Sequence, residues 1–376
     1  MPSSWHHPAW TIASEALGVP VQSTISINPA GAPAALFSLL GTAAIFVVAL
    51  YEGRDSRKAR RLLEALAIIG LFYAVYGLVI YLTGNDLVAW AEKRYYPNSL
   101  SSTFVNRNTY GVFAGLGTLC AIALLVSAIS SFLSHETRRA DRLPALMSYL
   151  TGKGAIWLLA ALVGTSALLL TGSRAANAAG LLGFMALLLV YLSARRASIK
   201  TISLGIILSL ITGFLFVLLS GEFLFDRLEQ ADGTLGGRSQ IYELVLIAIS
   251  DHLWLGSGYG SFEDVYRLYA GLAPQFGPNM KSAHSVFLEL TLELGLPIAI
   301  VFFASISICV GMCAYGVFKR RRDRIFPALA VAATLLVSLQ GAVDFAVQTP
   351  AVAGVFATLL GIGVAQSTSS AKSYRR

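Results

Sequence analysis

Charge is what this chain has least of. Only 13% of its 376 residues are charged, about half the share usual in a soluble domain, while 56% are hydrophobic and the mean hydropathy is +0.67. A water-soluble globule is excluded, because too few polar side chains remain to cover one. Cysteine is scarce as well. Cys120, Cys309 and Cys313 lie inside apolar runs with no redox partner in view, so packing is their role rather than a disulfide or a metal site. No His, Glu or Asp spacing suits a metal, and neither a Gly-x-Ser-x-Gly elbow nor a Cys/His nucleophile arrangement occurs. The first 32 residues lack the basic start and apolar core of a cleavable signal.

What is there is a series of apolar runs about 20 residues long, enough to cross a bilayer as helices. They predict nine spans, near 33–51, 62–83, 109–133, 154–172, 175–193, 201–220, 296–318, 325–344 and 350–366, in an all-α polytopic membrane protein. A re-entrant segment is the alternative for some short runs, chiefly 350–366. The connecting segments alternate in basic content. One set carries 20 of the 28 Lys and Arg, and by the positive-inside rule it is cytoplasmic. The net charge of +8 therefore reflects topology, and no nucleic-acid partner follows from it. Residues 1–32 become an outer-face segment and 33–221 hold the first six helices. Residues 222–295 form one large outer loop with short interfacial helices, 296–366 the last three helices, and 367–376 a cytoplasmic tail.

The outer segments concentrate the candidate chemistry. Arg174, in TGSRAANAAG, falls between two apolar runs with almost no loop, where an arginine is disfavoured unless it is paired or faces a wet cavity. A guanidinium snorkelling at a helix end is the plainer reading. Arg107 sits between Asn106 and Asn108 at the mouth of the third run, a turn that either contacts sugars or simply caps a helix. Arg238 follows Gly236 and Gly237 and opens a stretch in which Ile241, Leu244, Val245, Ala248 and Ile249 recur at helical spacing. A cation at the free N–H groups of a first helical turn suits phosphate. Pairing with Glu243 or Asp232 is the structural alternative. His284, in KSAHSVFLELTLELGLP, precedes a span, and a histidine there can exchange a proton near neutral pH. Lys281, Tyr242 and Tyr259 complete the candidate binding set. The glycines at 256, 258 and 260 look superficially like a nucleotide loop, but without a Walker lysine or a preceding buried strand they read as a turn.

In order, TFVNRN, TGSRAA, GGRSQIYELVLIAISDHLWLGSGYGSF, AHSVFLELTLELGLP and VDFAVQTPA resemble the bacterial O-antigen ligase and polymerase family across roughly residues 28 to 366. The resemblance implies a membrane-embedded, metal-independent inverting glycosyltransferase of the GT-C type with no cofactor, in the bacterial inner membrane, working at the periplasmic face. Its donor would be an undecaprenyl-diphosphate-linked glycan. Its acceptor would be lipid A–core for a ligase, or a second lipid-linked glycan for a polymerase. The family's essential residues fall on Arg174, Arg238 and His284. The large loop follows the sixth span rather than the ninth, as expected of a chain lacking three N-terminal helices. A transporter that moves the lipid-linked glycan without cutting it is the rival from another class. Against it stand the absence of a convincing inverted repeat and the clustering of charge on one face, with Asp344 near a span end as the main exception.

Overall fold

The computed structural model describes residues 5–84, 87, 88, 91–93, 95–135, 139–195, 231–272, 280–320 and 322–368, with the backbone alone at 88, 131–135, 139–143 and 231–238. Its helices are α1 (Ala9–Leu17), α2 (Ala32–Glu52), α3 (Ser56–Leu82), α4 (Arg107–His135), α5 (Arg139–Thr151), α6 (Ala155–Leu170), α7 (Arg174–Ala194), α8 (Ala231–Asp251), α9 (Phe262–Tyr269), α10 (Val286–Leu294), α11 (Leu296–Lys319), α12 (Ile325–Gly341) and α13 (Pro350–Thr368). Leu87–Val88 and Ala91–Glu92 pair as a two-residue antiparallel ladder between α3 and α4. The chain divides into two compact units. One holds residues 1–43, 219–308 and 341–345, and the other 44–218, 309–340 and 346–376.

In the larger unit α4 is the central helix and packs against α3, α6 and α7. Its apolar window is 78% buried inside the protein, against 6% for α2 and 11% for α11, so a helix hydrophobic all round has found protein on every side. Close crossing needs small residues, since apolar burial drives nothing between helices in lipid. A Cβ added at Gly70 of α3 would come within 2.9 Å of the Gly117 backbone of α4, so the two chains cross there through paired glycines.

Six described helices are long and apolar enough to span a membrane, or seven if the bent pair 144–151 and 155–170 is one span, against the nine expected. The run at 154–172 yields only the 16 residues of α6, about 24 Å at 1.5 Å per residue, bent 70° from the preceding helix beside Gly152 and Gly154. The run at 325–344 ends three residues early, at Gly341, leaving the 17 residues of α12. The expected span at 201–220 lies outside the described residues. The run at 350–366 forms a 19-residue candidate span, α13, opened by Pro350 at a position where the missing N–H costs no hydrogen bond.

The smaller unit has its own core. Ile241, Leu244, Val245, Ala248 and Ile249 line the buried face of α8, as their spacing predicts, and pack with Phe262, Val265 and Tyr266 of α9 and Leu292 of α10. At 21 residues α8 is not a short helix. It also does not start at Arg238. Described from Ala231, it runs through Gly236 and Gly237, each of which costs about 1 kcal/mol in a helix interior without ending the helix. Arg238 therefore lies inside the helix rather than at its start.

Candidate functional site

The segment KSAHS can present a histidine because its backbone is clamped in an uncommon conformation. His284 has φ +52°, in the left-handed region that a non-glycine residue enters at a cost of about 1–3 kcal/mol. Three contacts hold it there. Its N–H donates to Ser282 Oγ (3.1 Å), its carbonyl accepts from the Tyr242 hydroxyl (3.0 Å), and the neighbouring Ala283 N–H donates to Glu289 Oε2 (2.8 Å). The side chain is 30% exposed and turns Nδ1 toward Asp344, whose carboxylate is 1% exposed and stands 3.8 Å away. Asp344 Oδ1 also accepts the Phe345 N–H (2.7 Å), and the Phe345 ring lies 5.7 Å from the imidazole. At 3.8 Å the carboxylate stands beyond hydrogen-bond reach, and Nδ1 has no hydrogen-bond partner among the described residues.

Two buried glutamates follow this turn, and Glu289 braces it. Glu289 and Glu293 are one turn apart on α10, 6% and 4% exposed. Glu293 Oε1 accepts the Phe262 N–H (3.0 Å) and so caps α9 from a distance. Burial above all, then the Glu289 charge, pushes the Glu293 acid up to about 7, against the pull of backbone N–H groups at 260–262. Gly256, Gly258 and Gly260, all with positive φ, form the turn expected of them. Ser257 and Gly258 donate to the carbonyls of Leu292 and Glu293 (both 3.0 Å), and a Cβ at Gly256 would strike the backbone of Glu293 and Gly295. Tyr259 stands half-buried on this turn, its hydroxyl made a weaker acid by burial and by Glu293 and Glu289.

The N-terminal segment is bound to the same turn. Ile27 N–H donates to Ser257 O (2.9 Å), Asn28 Nδ2 donates to Asp264 Oδ2 (2.7 Å), and the His7 and His252 rings stack at 4.3 Å. Burial and the neighbouring His252 push the His7 imidazole down to about 4.

In the larger unit Arg174 is the exposed first residue of α7, where Ser173 caps the helix by accepting the Ala176 N–H (3.3 Å). Arg107 heads α4, half-buried, with Nη1 donating to Ser99 Oγ (3.0 Å) and the guanidinium 4.7 Å over the Tyr96 ring. Asn106 accepts the Asn108 N–H (2.7 Å), the geometry of a helix cap.

The structure thus brings together His284, Tyr242 and the backbone around Lys281, which is exposed. It gives Tyr242 a backbone carbonyl as partner, and so a holding role at the turn. The Arg238 side chain lies outside the described residues. Sequence reasoning missed Asp344 as a partner of His284, and it missed Glu289 and Glu293. Their signal was present as two acids at i and i+4 inside the apolar run VFLELTLEL. Among the described residues no group of three or more potential metal ligands occurs.

A family model described as O-Antigen ligase matches residues 158–303, a stretch containing Arg174, Arg238 and His284. No curated protein matches the chain significantly. The family match covers three of the five motifs that carry the resemblance. It supports an O-antigen ligase or polymerase-like function in surface polysaccharide assembly, for a multi-pass membrane protein whose partners are the bilayer and lipid-linked sugars.

Proposed function

We propose that this chain, a member of the O-antigen ligase/polymerase family through residues 158–303, is an inverting, metal-independent glycosyltransferase. It would act at the periplasmic face of the inner membrane, on an undecaprenyl-diphosphate-linked glycan. An acceptor hydroxyl attacks the anomeric carbon as the bond from that carbon to the diphosphate oxygen breaks. Undecaprenyl diphosphate leaves with the electron pair, and the acceptor proton passes to Nε2 of His284. Arg174 and Arg238 hold the diphosphate and stabilise the charge that grows on it, which suits the planar fork of arginine. The diphosphate is a good leaving group, so no protein acid is needed. Asp344 holds the ring and stabilises the imidazolium as it forms.

The observation that carries this reading is the strained His284 turn, inside the segment matched to the family, with the buried Asp344 carboxylate 3.8 Å from Nδ1. Lipid A–core and a second lipid-linked glycan are both acceptors for this chemistry. Reconstitution of the purified chain with a lipid-linked oligosaccharide and each acceptor in turn tests it. New covalent product with one acceptor is expected, and donor that changes leaflet without changing attachment would sink the reading in favour of a transporter.

A further inference from the structure

The end of the larger unit opposite Arg174 gathers cations that glycosyl transfer does not use. α7 runs 21 residues from Arg174, about 31 Å at 1.5 Å per residue, and ends at Ala194 with Arg195 just beyond. One guanidinium joins this end to two other helices. Arg324, just ahead of α12, donates through Nη1 to the Ala194 carbonyl and through Nε to the carbonyl of Arg320, one residue past the end of α11. A single planar fork bonded to both carbonyls sets Arg195 and Arg320 on either side of it. Arg320 Nε in turn donates to the Arg322 carbonyl (3.4 Å), and Lys319 closes α11 beside it. Arg195 and the described residues of 319–324 thus carry five cations against one carboxylate, that of Asp323.

These cations stand at the foot of an uncovered apolar face. Met312, Tyr315 and Lys319 of α11 follow at i, i+3 and i+7, on one side of the helix, and all three are exposed. Little of α11 is covered by protein, so this side of a spanning helix meets lipid. Its 24 residues cover about 36 Å against about 30 Å of hydrocarbon, which puts Lys319 at the height of the headgroups. Lys319 Nζ lies 4.8 Å over the Tyr315 ring and the Arg195 guanidinium 5.8 Å over that of Tyr191. Cations stacked on aromatic rings at that height belong to a membrane–water interface.

We propose that Arg195, Lys319 and Arg320 bind the phosphate of an anionic phospholipid whose acyl chains lie along the Met312 and Tyr315 face of α11. The groups present select the ligand. Guanidinium and ammonium only donate, so the ligand must accept, and phosphate oxygens do so with the gain of opposite charge. The apolar face takes a tail that a free phosphate lacks. A zwitterionic phospholipid brings its own ammonium into a surplus of cations. The site stands whether or not the chain transfers sugar.

The test uses the full chain in detergent micelles, with native mass spectrometry following retention of phosphatidylglycerol and of phosphatidylcholine. The variants are Lys319→Gln and Arg195→Gln, with Arg57→Gln as control. Arg57 is an exposed cation at the same end of the unit. Gln366 Nε2 donates to the Gly53 carbonyl (2.6 Å) just ahead of α3, and a Cβ at Gly316 of α11 would meet Ser367, the next residue of α13. The native chain should retain phosphatidylglycerol in preference to phosphatidylcholine. Lys319→Gln and Arg195→Gln should each weaken that retention about fivefold, the contribution of one cation beside anionic lipid, while Arg57→Gln and the charge-keeping Lys319→Arg leave it unchanged. No preference in the native chain overturns the site, as does a loss in Lys319→Arg. An equal loss in Arg57→Gln also overturns it, because the attraction would then belong to the whole charged face. Inorganic phosphate that raises the melting temperature as much as phosphatidylglycerol does, at constant ionic strength, would give the cations to a free anion and overturn the lipid assignment.

Discussion

Replacing Glu293 with glutamine should stabilise the smaller unit above pH 7 and erase a pH dependence that the native chain has. The carboxyl is 4% exposed, accepts the Phe262 N–H, and is lifted from 4.5 to about 7, chiefly by burial and secondly by Glu289. Below pH 4.5 the folded and unfolded chains both hold this proton. Between 4.5 and 7 the folded chain holds it and the unfolded chain does not, so stability falls as pH rises through that window, and above pH 7 the loss is complete. A difference of about 2.5 units at 1.36 kcal/mol each is about 3 kcal/mol. Glutamine keeps the shape and an oxygen to cap α9 but has no proton to exchange. Thermal unfolding in detergent, followed by tryptophan fluorescence from pH 5 to pH 8, should show the native chain weakening as pH rises and Glu293→Gln nearly flat. The two should converge near pH 5. A glutamine variant that keeps the native slope, or that is less stable than the native chain at pH 8, would refute the reasoning, because the bonds of the charged carboxylate would then outweigh its desolvation.

Further outcomes follow from the other residues. His284→Ala should lower transfer by about 100- to 10,000-fold while donor affinity is kept, and Asp344→Asn should lower it by less, measured as turnover at saturating substrate. A His284→Ala protein with normal turnover and weak donor binding would make the histidine a donor contact instead. Arg174→Lys should weaken donor binding or turnover about ten- to a hundredfold, because a point charge cannot repeat a two-pronged contact. Near-normal kinetics for that variant would leave Arg174 a snorkelling residue. Cysteine at Ser239 should react with a membrane-impermeant thiol reagent in intact cells and cysteine at Ser56 should not. The reverse pattern would overturn the assignment of faces.

The membrane character of the chain was legible because hydropathy sums over about 20 residues, and α2, α3, α7, α11 and α13 coincide closely with runs of that length. Breaks were not legible, because length and composition are blind to direction. The run at 154–172 gave a helix of only 16 residues, bent from the helix before it, and Gly341 ended α12 early. The opposite error arose at Gly236 and Gly237. Glycines read as a helix start proved to be helix interior, the small local penalty being absorbed by the rest of a 21-residue element.

The site divides along the same line. His284 stood out because it is a polar residue at the edge of an apolar run, whereas its partner Asp344 lies 60 positions away and faces it only because α12 stops at Gly341. No periodicity announces a contact made by a helix that ends. The glutamates of α10, like the buried Gln340, Asn177 and Thr109 of the larger unit, belong to a class that hydropathy averages away, as single polar residues within apolar runs. Burial gives such residues their weight. A polar group that stays buried despite the cost of removing it from water must gain something there, as Glu293 does from the Phe262 N–H.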